Sequence, residues 1–95
     1  MSTAKGRRHM GRVAQLPCML CQHIGLGENY TVEVHHIREE QGAGQRADDM
    51  LTIPLCPEHH RGPSGTHGLG KRGFYTRYKV TELDLLAKTL EALEP

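Results

Sequence analysis

The sequence predicts a small α+β domain, and three observations carry that expectation. A Cys18-x-x-Cys21 pair near the start is answered by Cys56-x-x-His59 beyond the middle of the chain. Two short runs rich in β-branched residues, Tyr30 to His35 and Met50 to Leu55, stand between those half-sites and read as strands. A leucine-striped stretch with a capping signature follows from Thr81 onward and reads as an amphipathic helix.

Size and composition fit one domain that needs help to stay folded. A chain of 95 residues buries roughly two-thirds of its unfolded surface. With 37% hydrophobic residues, no Trp and one Phe, the core is thin, and a metal staple is a natural supplement. The net charge of +1 conceals local patches. Lys5, Arg7, Arg8 and Arg12 precede any acidic residue, Lys71, Arg72, Arg77 and Lys79 form a second basic stretch, and Glu82 to Glu94 is net acidic. Such patches suit phosphate. Three cysteines cannot all pair, and two of them lie in a Cys-x-x-Cys, which favours thiolate metal ligation in a reducing compartment over disulfides. The N-terminus lacks an apolar run long enough for a signal peptide or a membrane span, so a soluble cytoplasmic protein without a membrane partner is expected. No internal repeat, linker or low-complexity tract interrupts the chain.

Residues 1–15 form a basic arm or short helix. Met1 to Gly6 is small and polar, while Met10, Val13 and Ala14 fall on helical spacing that Gly11 weakens. A frayed, solvated helix and a phosphate-contacting arm both account for Arg7, Arg8 and Arg12. The domain proper runs from 16 to 95. In Leu16-Pro17-Cys18-Met19-Leu20-Cys21 the two-residue gap lets both sulfurs reach one tetrahedral ion from a tight knuckle. A redox pair would need a βαβ setting that is missing here, and Cys56-x-x-His59 supplies the other half of a Cys3His zinc set. His23 is a spare imidazole that reads as a surface residue.

Glu28-Asn29-Tyr30 makes a turn into the first strand, where alternation puts Val32, Val34 and His36 on one face and Glu33 and His35 on the other. Arg38 to Asp49, charged and glycine-containing, reads as an exposed loop. Pro54 in the second strand suits an edge or strand end. Pro57 opens a short helix over Glu58, His59, His60 and Arg61, and Gly62-Pro63-Ser64-Gly65 stops it. Glycines punctuate His67 to Gly73 as a loop, and Phe74 to Lys79 returns to helix. In the last helix Thr81 is the cap, Asp84 completes a capping box, and Val80, Leu83, Leu86, Leu90 and Leu93 form a core-facing stripe. A partner or dimer surface is the other use of that stripe, so a monomer or weak dimer is expected.

The chemistry divides between two groups of ligands. Cys18, Cys21, Cys56 and His59 make a closed set suited to a structural zinc with no open position, contributing about 10–16 kcal/mol of apparent binding free energy coupled to folding. His35, His36, His60 and His67 remain. One account makes them polar residues crowded near a zinc site. The functional account has His35 and His60 hold a catalytic cation through neutral imidazole nitrogens, with His36 as general base. A phosphodiester needs that division: the cation stabilises charge on the phosphate and the leaving oxygen, and the base takes a proton from water.

His35-His36 and Cys56-x-x-His59-His60 resemble the HNH (ββα-metal) nuclease pattern on a treble-clef zinc scaffold of knuckle, hairpin and short helix. His59-His60-Arg61-Gly62, Thr66-His67-Gly68-Leu69-Gly70-Lys71-Arg72-Gly73-Phe74 and Val80-Thr81-Glu82-Leu83 are similar to the Ref-like, RecA-dependent HNH nucleases of phages and prophages. The resemblance runs from about Cys18 to the last helix. It implies that His35 and His60 ligate the cation, that His36 is the base, and that His67 is a further ligand or a phosphate contact. Ser64 stands one turn after His60, where a third ligand would otherwise sit, and His67, returned by the glycine turn, takes that part. The central Asn of the pattern is missing, since Asn29 lies elsewhere. Asp48 or Asp49 falls in its region, and Asp49 is chosen as the carboxylate that orients His36; a solvated turn is the alternative use of this pair. Lys71 and Arg72 are expected to contact the DNA backbone, with Gly68, Gly70 and Gly73 letting the main chain approach phosphates, unless the loop is merely solvated.

The expected activity is therefore hydrolysis of DNA phosphodiesters by an endonuclease of a bacterial host cytoplasm. It would use structural Zn²⁺ and one catalytic divalent cation, Mg²⁺ or Mn²⁺ with Zn²⁺ as an alternative, and a RecA filament as partner by the resemblance. Two rivals stand beside it. A non-catalytic zinc module binding nucleic acid or protein would use Cys18, Cys21, Cys56 and His59 alone, and a redox protein would carry a reactive thiolate at Cys18.

Overall fold

A computed structural model describes residues 2–37 and 48–94 of the chain. The elements run α1 (Ala4–Val13), α2 (Met19–His23), β1 (Glu33–His36), β2 (Thr52–Leu55), α3 (Pro57–Arg61), α4 (Thr66–Tyr78) and α5 (Glu82–Leu93). The α+β expectation holds. The loop expected from Arg38 to Asp49 lies outside the described residues except for its last two.

The N-terminal segment is a docked helix rather than a frayed arm. Thr3 caps α1 by accepting from the Gly6 N–H at 2.9 Å, so the helix starts ahead of Arg7. Gly6, His9 and Val13, at three- and four-residue spacing, face inward against β2 and α5. Gly11 sits on the exposed side, where its cost of about 1 kcal/mol relative to Ala is offset by burial of that inner face.

The knuckle is itself a helical turn. Cys18 is the N-cap of α2, and its sulfur accepts from the Cys21 N–H at 3.4 Å. The strands are shorter than expected: Tyr30, Thr31 and Val32 precede β1, and Met50 and Leu51 precede β2. The pair is antiparallel with Glu33 opposite Leu55 and His36 opposite Thr52. Pro54 is tolerated opposite Val34 because both strands of a two-stranded sheet are edges. Beyond the strands, Asp48 builds the turn into β2, its carboxylate accepting from the Met50 N–H at 2.8 Å.

Pro57 is the first residue of α3 and Gly62 ends it, as expected. The glycine-rich stretch departs from expectation, because Thr66 to Tyr78 is helical with a break at Gly70 (φ 71°). A side chain at Gly68 would lie 2.5 Å from the Gly62 carbonyl oxygen. These glycines thus let α4 cross closely over the end of α3 and kink there. Tyr78 ties the far end back, donating to the Ser64 carbonyl at 2.6 Å.

The capping box on α5 is formed, with Thr81 and Asp84 exchanging bonds of 2.9 and 3.1 Å. The buried face is Leu85, Leu86 and Thr89 with Val80 before it, whereas Leu83 and Leu90 are 50% and 41% exposed. The sequence offers leucine on two faces, and the bond from Glu82 to His35 goes with the rotation that buries Leu85. The core joins these elements through Leu20, Ile37, Ile53, Leu55, Phe74 and Leu85. No helix among the described residues is long and apolar enough to cross a membrane.

Candidate metal centre and histidine cleft

Cys18, Cys21, Cys56 and His59 converge in the core, all four buried, with ligand atoms within 4.8 Å of one another. Two helix starts bring them there, since Cys18 and Cys56 hold the N-terminal flanking positions of α2 and α3. The His59 Nδ1 lies 3.3 Å from Cys56 Sγ, 3.5 Å from Cys21 Sγ and 3.9 Å from Cys18 Sγ, and the Cys21 and Cys56 sulfurs are 3.8 Å apart. A tetrahedron with metal–sulfur arms of about 2.3 Å has edges of about 3.8 Å, so the set fits a metal such as zinc.

The electrostatics agree with that fit. Burial, with Cys18 alongside, pushes the Cys21 thiol up to about 12. Burial also raises Cys56, and it lowers His59, which favours the neutral imidazole a metal takes. Three thiols so close cannot all ionise without a cation between them. A raised thiol is also the opposite of the depressed one a redox pair uses.

A second cluster opens beside the first. The ligand atoms of His35, His60 and His67 also lie within 4.8 Å of one another. Their rings approach to 4.9 Å (His35–His60), 5.3 Å (His35–His67) and 4.8 Å (His60–His67) between centroids. His35 comes from β1, His60 from α3, and His67 from the first turn of α4 rather than from a glycine loop. Ser64 turns away, its hydroxyl bonded to Glu58 at 2.5 Å.

Two glutamates bond to imidazoles of the cluster, and sequence reasoning assigned a role to neither. Glu33 Oε1 meets His60 Nδ1 at 2.8 Å, and Glu33 Oε2 binds Arg61 Nη2 at 2.9 Å. Arg61, then His60, holds the Glu33 carboxyl down at about 2. Glu82 Oε2 meets His35 Nε2 at 2.5 Å. Glu33 was legible as a neighbour of His35 on one strand face; Glu82 carried no local signal.

His36 leaves the strand on the other side and bonds Asp49 through Nε2 and Oδ1 at 2.8 Å. Of the two candidate aspartates it is Asp49 that reaches the imidazole, since Asp48 is engaged in the turn. His36 nevertheless borders the same cleft, a cavity of about 250 Å³ lined with His35, Thr66, His67, Gly70, Lys71 and Glu82. Lys71 therefore stands at the cleft, and Arg72 is exposed on α4. Arg8 is exposed on α1. Arg7 and Arg12 are exposed too and are bonded to backbone carbonyls, Arg7 to Ser2 at 2.7 Å and Arg12 to Leu93 at 2.6 Å.

The protein thus holds a buried four-donor set, a three-imidazole set and a carboxylate-bonded histidine that lines the same cleft as His35 and His67. The family model described as recombination enhancement, RecA-dependent nuclease matches residues 2–94, which takes in every helix and strand above. No curated protein matches the chain.

Proposed function

The chain belongs to the recombination-enhancement, RecA-dependent nuclease family, and we propose that it is an HNH-type endonuclease hydrolysing DNA phosphodiesters with a divalent cation. The observation that carries this reading is the His36–Asp49 bond at a cleft that His36 lines together with His35 and His67, two of the three clustered imidazoles. The knuckle, the β1–β2 hairpin and α3 support a treble-clef scaffold, with structural Zn²⁺ held by Cys18, Cys21, Cys56 and His59.

A catalytic cation, Mg²⁺ or Mn²⁺ with Zn²⁺ as the alternative, would neutralise charge on the phosphate and on the leaving oxygen. His35, His60 and His67 would hold it. The Asp49 carboxylate is acceptor-only, so His36 donates its Nε2–H to it and keeps Nδ1 as a proton acceptor. Water attacking phosphorus would lose its proton to that nitrogen, and Asp49 would stabilise the imidazolium that results. Lys71 and Arg72 would contact the DNA backbone, as would Arg8, and Arg7 and Arg12 after exchanging their present carbonyl partners. A RecA filament would present the substrate, single-stranded or recombination-intermediate DNA, and a phage or prophage setting in a bacterial cytoplasm goes with that role.

The test is cleavage of single-stranded and supercoiled DNA with Mg²⁺ or Mn²⁺, with and without RecA and ATP, beside His36→Ala. Cleavage that needs His36 supports the enzyme, and a requirement for RecA supports the recombination role. No cleavage by folded, zinc-loaded protein under all these conditions would transfer the assignment to a non-catalytic binding module.

A further inference from the structure

The main chain of α1 comes close to the Asp49 side chain at Gly6. Gly6 is buried in the first turns of that helix. A Cβ placed on Gly6 would lie 2.6 Å from Asp49 Oδ2 and 2.9 Å from Asp49 Cβ, distances that force something to move. Asp49 has little freedom to retreat. Its carbonyl accepts from Thr52 Oγ1 at 3.0 Å at the start of β2, and the preceding Asp48 is engaged in the turn. One carboxylate oxygen is 2.8 Å from His36 Nε2, while the other rests against a helix that has no side chain at that position.

We propose that Gly6 is a positioning residue for the base. By its missing side chain it brings the α1 main chain against Asp49 and holds that carboxylate in line with His36 Nε2. The N-terminal helix is then part of the catalytic framework, and not merely a basic arm for DNA. The proposal rests on the reading of His36 as the base, and a methyl group at residue 6 would act on catalysis through Asp49 without touching substrate.

The test uses full-length, zinc-loaded protein. Ala is a better helix former than Gly, so Gly6→Ala should retain the α1 helix, checked by circular dichroism and zinc content. Its kcat on DNA should fall roughly 10- to 100-fold, the loss expected for a misplaced catalytic group, with KM little changed. In an Asp49→Ala background the same substitution should cost little further rate, because neighbours acting through one group are not additive. A readout independent of cleavage is the long-range ¹H–¹⁵N spectrum of the His36 ring. Wild type should show the Nε2-protonated tautomer, and Gly6→Ala a mixture.

Folded Gly6→Ala with wild-type rate and tautomer would overturn the proposal, as would an equal loss in the Asp49→Ala background. Should Gly6→Ala fail to fold, Thr3→Ala decides. It removes the cap and frays the first turn, so a smaller rate loss with tautomer mixing supports the proposal, and an unchanged rate and tautomer reject it. The underlying reading fails separately: wild-type cleavage by His36→Ala would remove the base, whatever residue 6 does.

Discussion

Glu82, the first residue of α5, bonds the Nε2 of His35 on β1 at 2.5 Å, 47 residues away in the chain. Both side chains are largely shielded from water, at 9% and 11% exposure. Glu33 does the same for His60 through Nδ1. Each glutamate engages one ring nitrogen of its histidine, and carboxylates bonded to metal-binding imidazoles orient them and raise their basicity.

Glu82→Gln should therefore weaken Mn²⁺ binding at the cleft by roughly 10- to 100-fold, measured by calorimetric titration of zinc-loaded protein. The fold should persist, because Leu85, Leu86 and Thr89 keep α5 docked. Unchanged affinity would show that His35 is oriented by its strand alone.

Removing zinc should unfold the domain. A structural site of this type contributes about 10–16 kcal/mol, more than marginal domains possess, so Cys56→Ser or a strong chelator should abolish the thermal transition. Burial keeps the metal-free Cys21 thiol protonated, with a value of about 12. Binding must then release protons, and affinity should rise with pH in a competition assay. A chelated protein that melts at the same temperature would contradict the structural role.

The Glu33 carboxyl falls from 4.5 to about 2 on folding, chiefly through Arg61 and then His60. The unfolded chain binds the extra proton between those values, so the contribution is complete above pH 4.5 and lost as pH falls toward 2. The stability difference between wild type and Glu33→Gln, from urea unfolding, should be flat above pH 4.5 and shrink below it. Arg61→Ala should carry the Glu33 titration, followed by carbon NMR, back toward the higher value.

His9 is buried on the inner face of α1, and its Nε2 has no hydrogen-bond partner among the described residues. Replacing a buried unsatisfied nitrogen by an apolar group of similar size removes a desolvation cost of about 1–3 kcal/mol. His9→Leu should raise the melting temperature, and a lower one would point to a bridging water at that nitrogen.

Much of this molecule was written in short-range signals. The Cys18–Cys21 and Cys56–His59 half-sites, the Pro57 start and Gly62 stop of α3, and the Thr81–Asp84 box form as their spacing predicts. The departures share a cause. Glycines between His67 and Gly73 read as loop, yet α4 forms there because its close crossing over α3 requires a residue without a side chain at Gly68. Leu83 and Leu90 were placed on the core stripe, and the docking of α5 on the sheet turned them outward.

The sequence by itself determined the donors and their grouping, because ligands two residues apart, caps and helix stops depend on atoms within one turn of chain. It could not choose between Asp48 and Asp49 by geometry, point to Glu82 at His35, or set Gly6 against Asp49. Only the tertiary structure decided those, since each joins segments that meet when the shared core of Leu20, Ile37, Ile53 and Leu85 is buried. Burial of apolar surface is non-directional and leaves no local spacing to read.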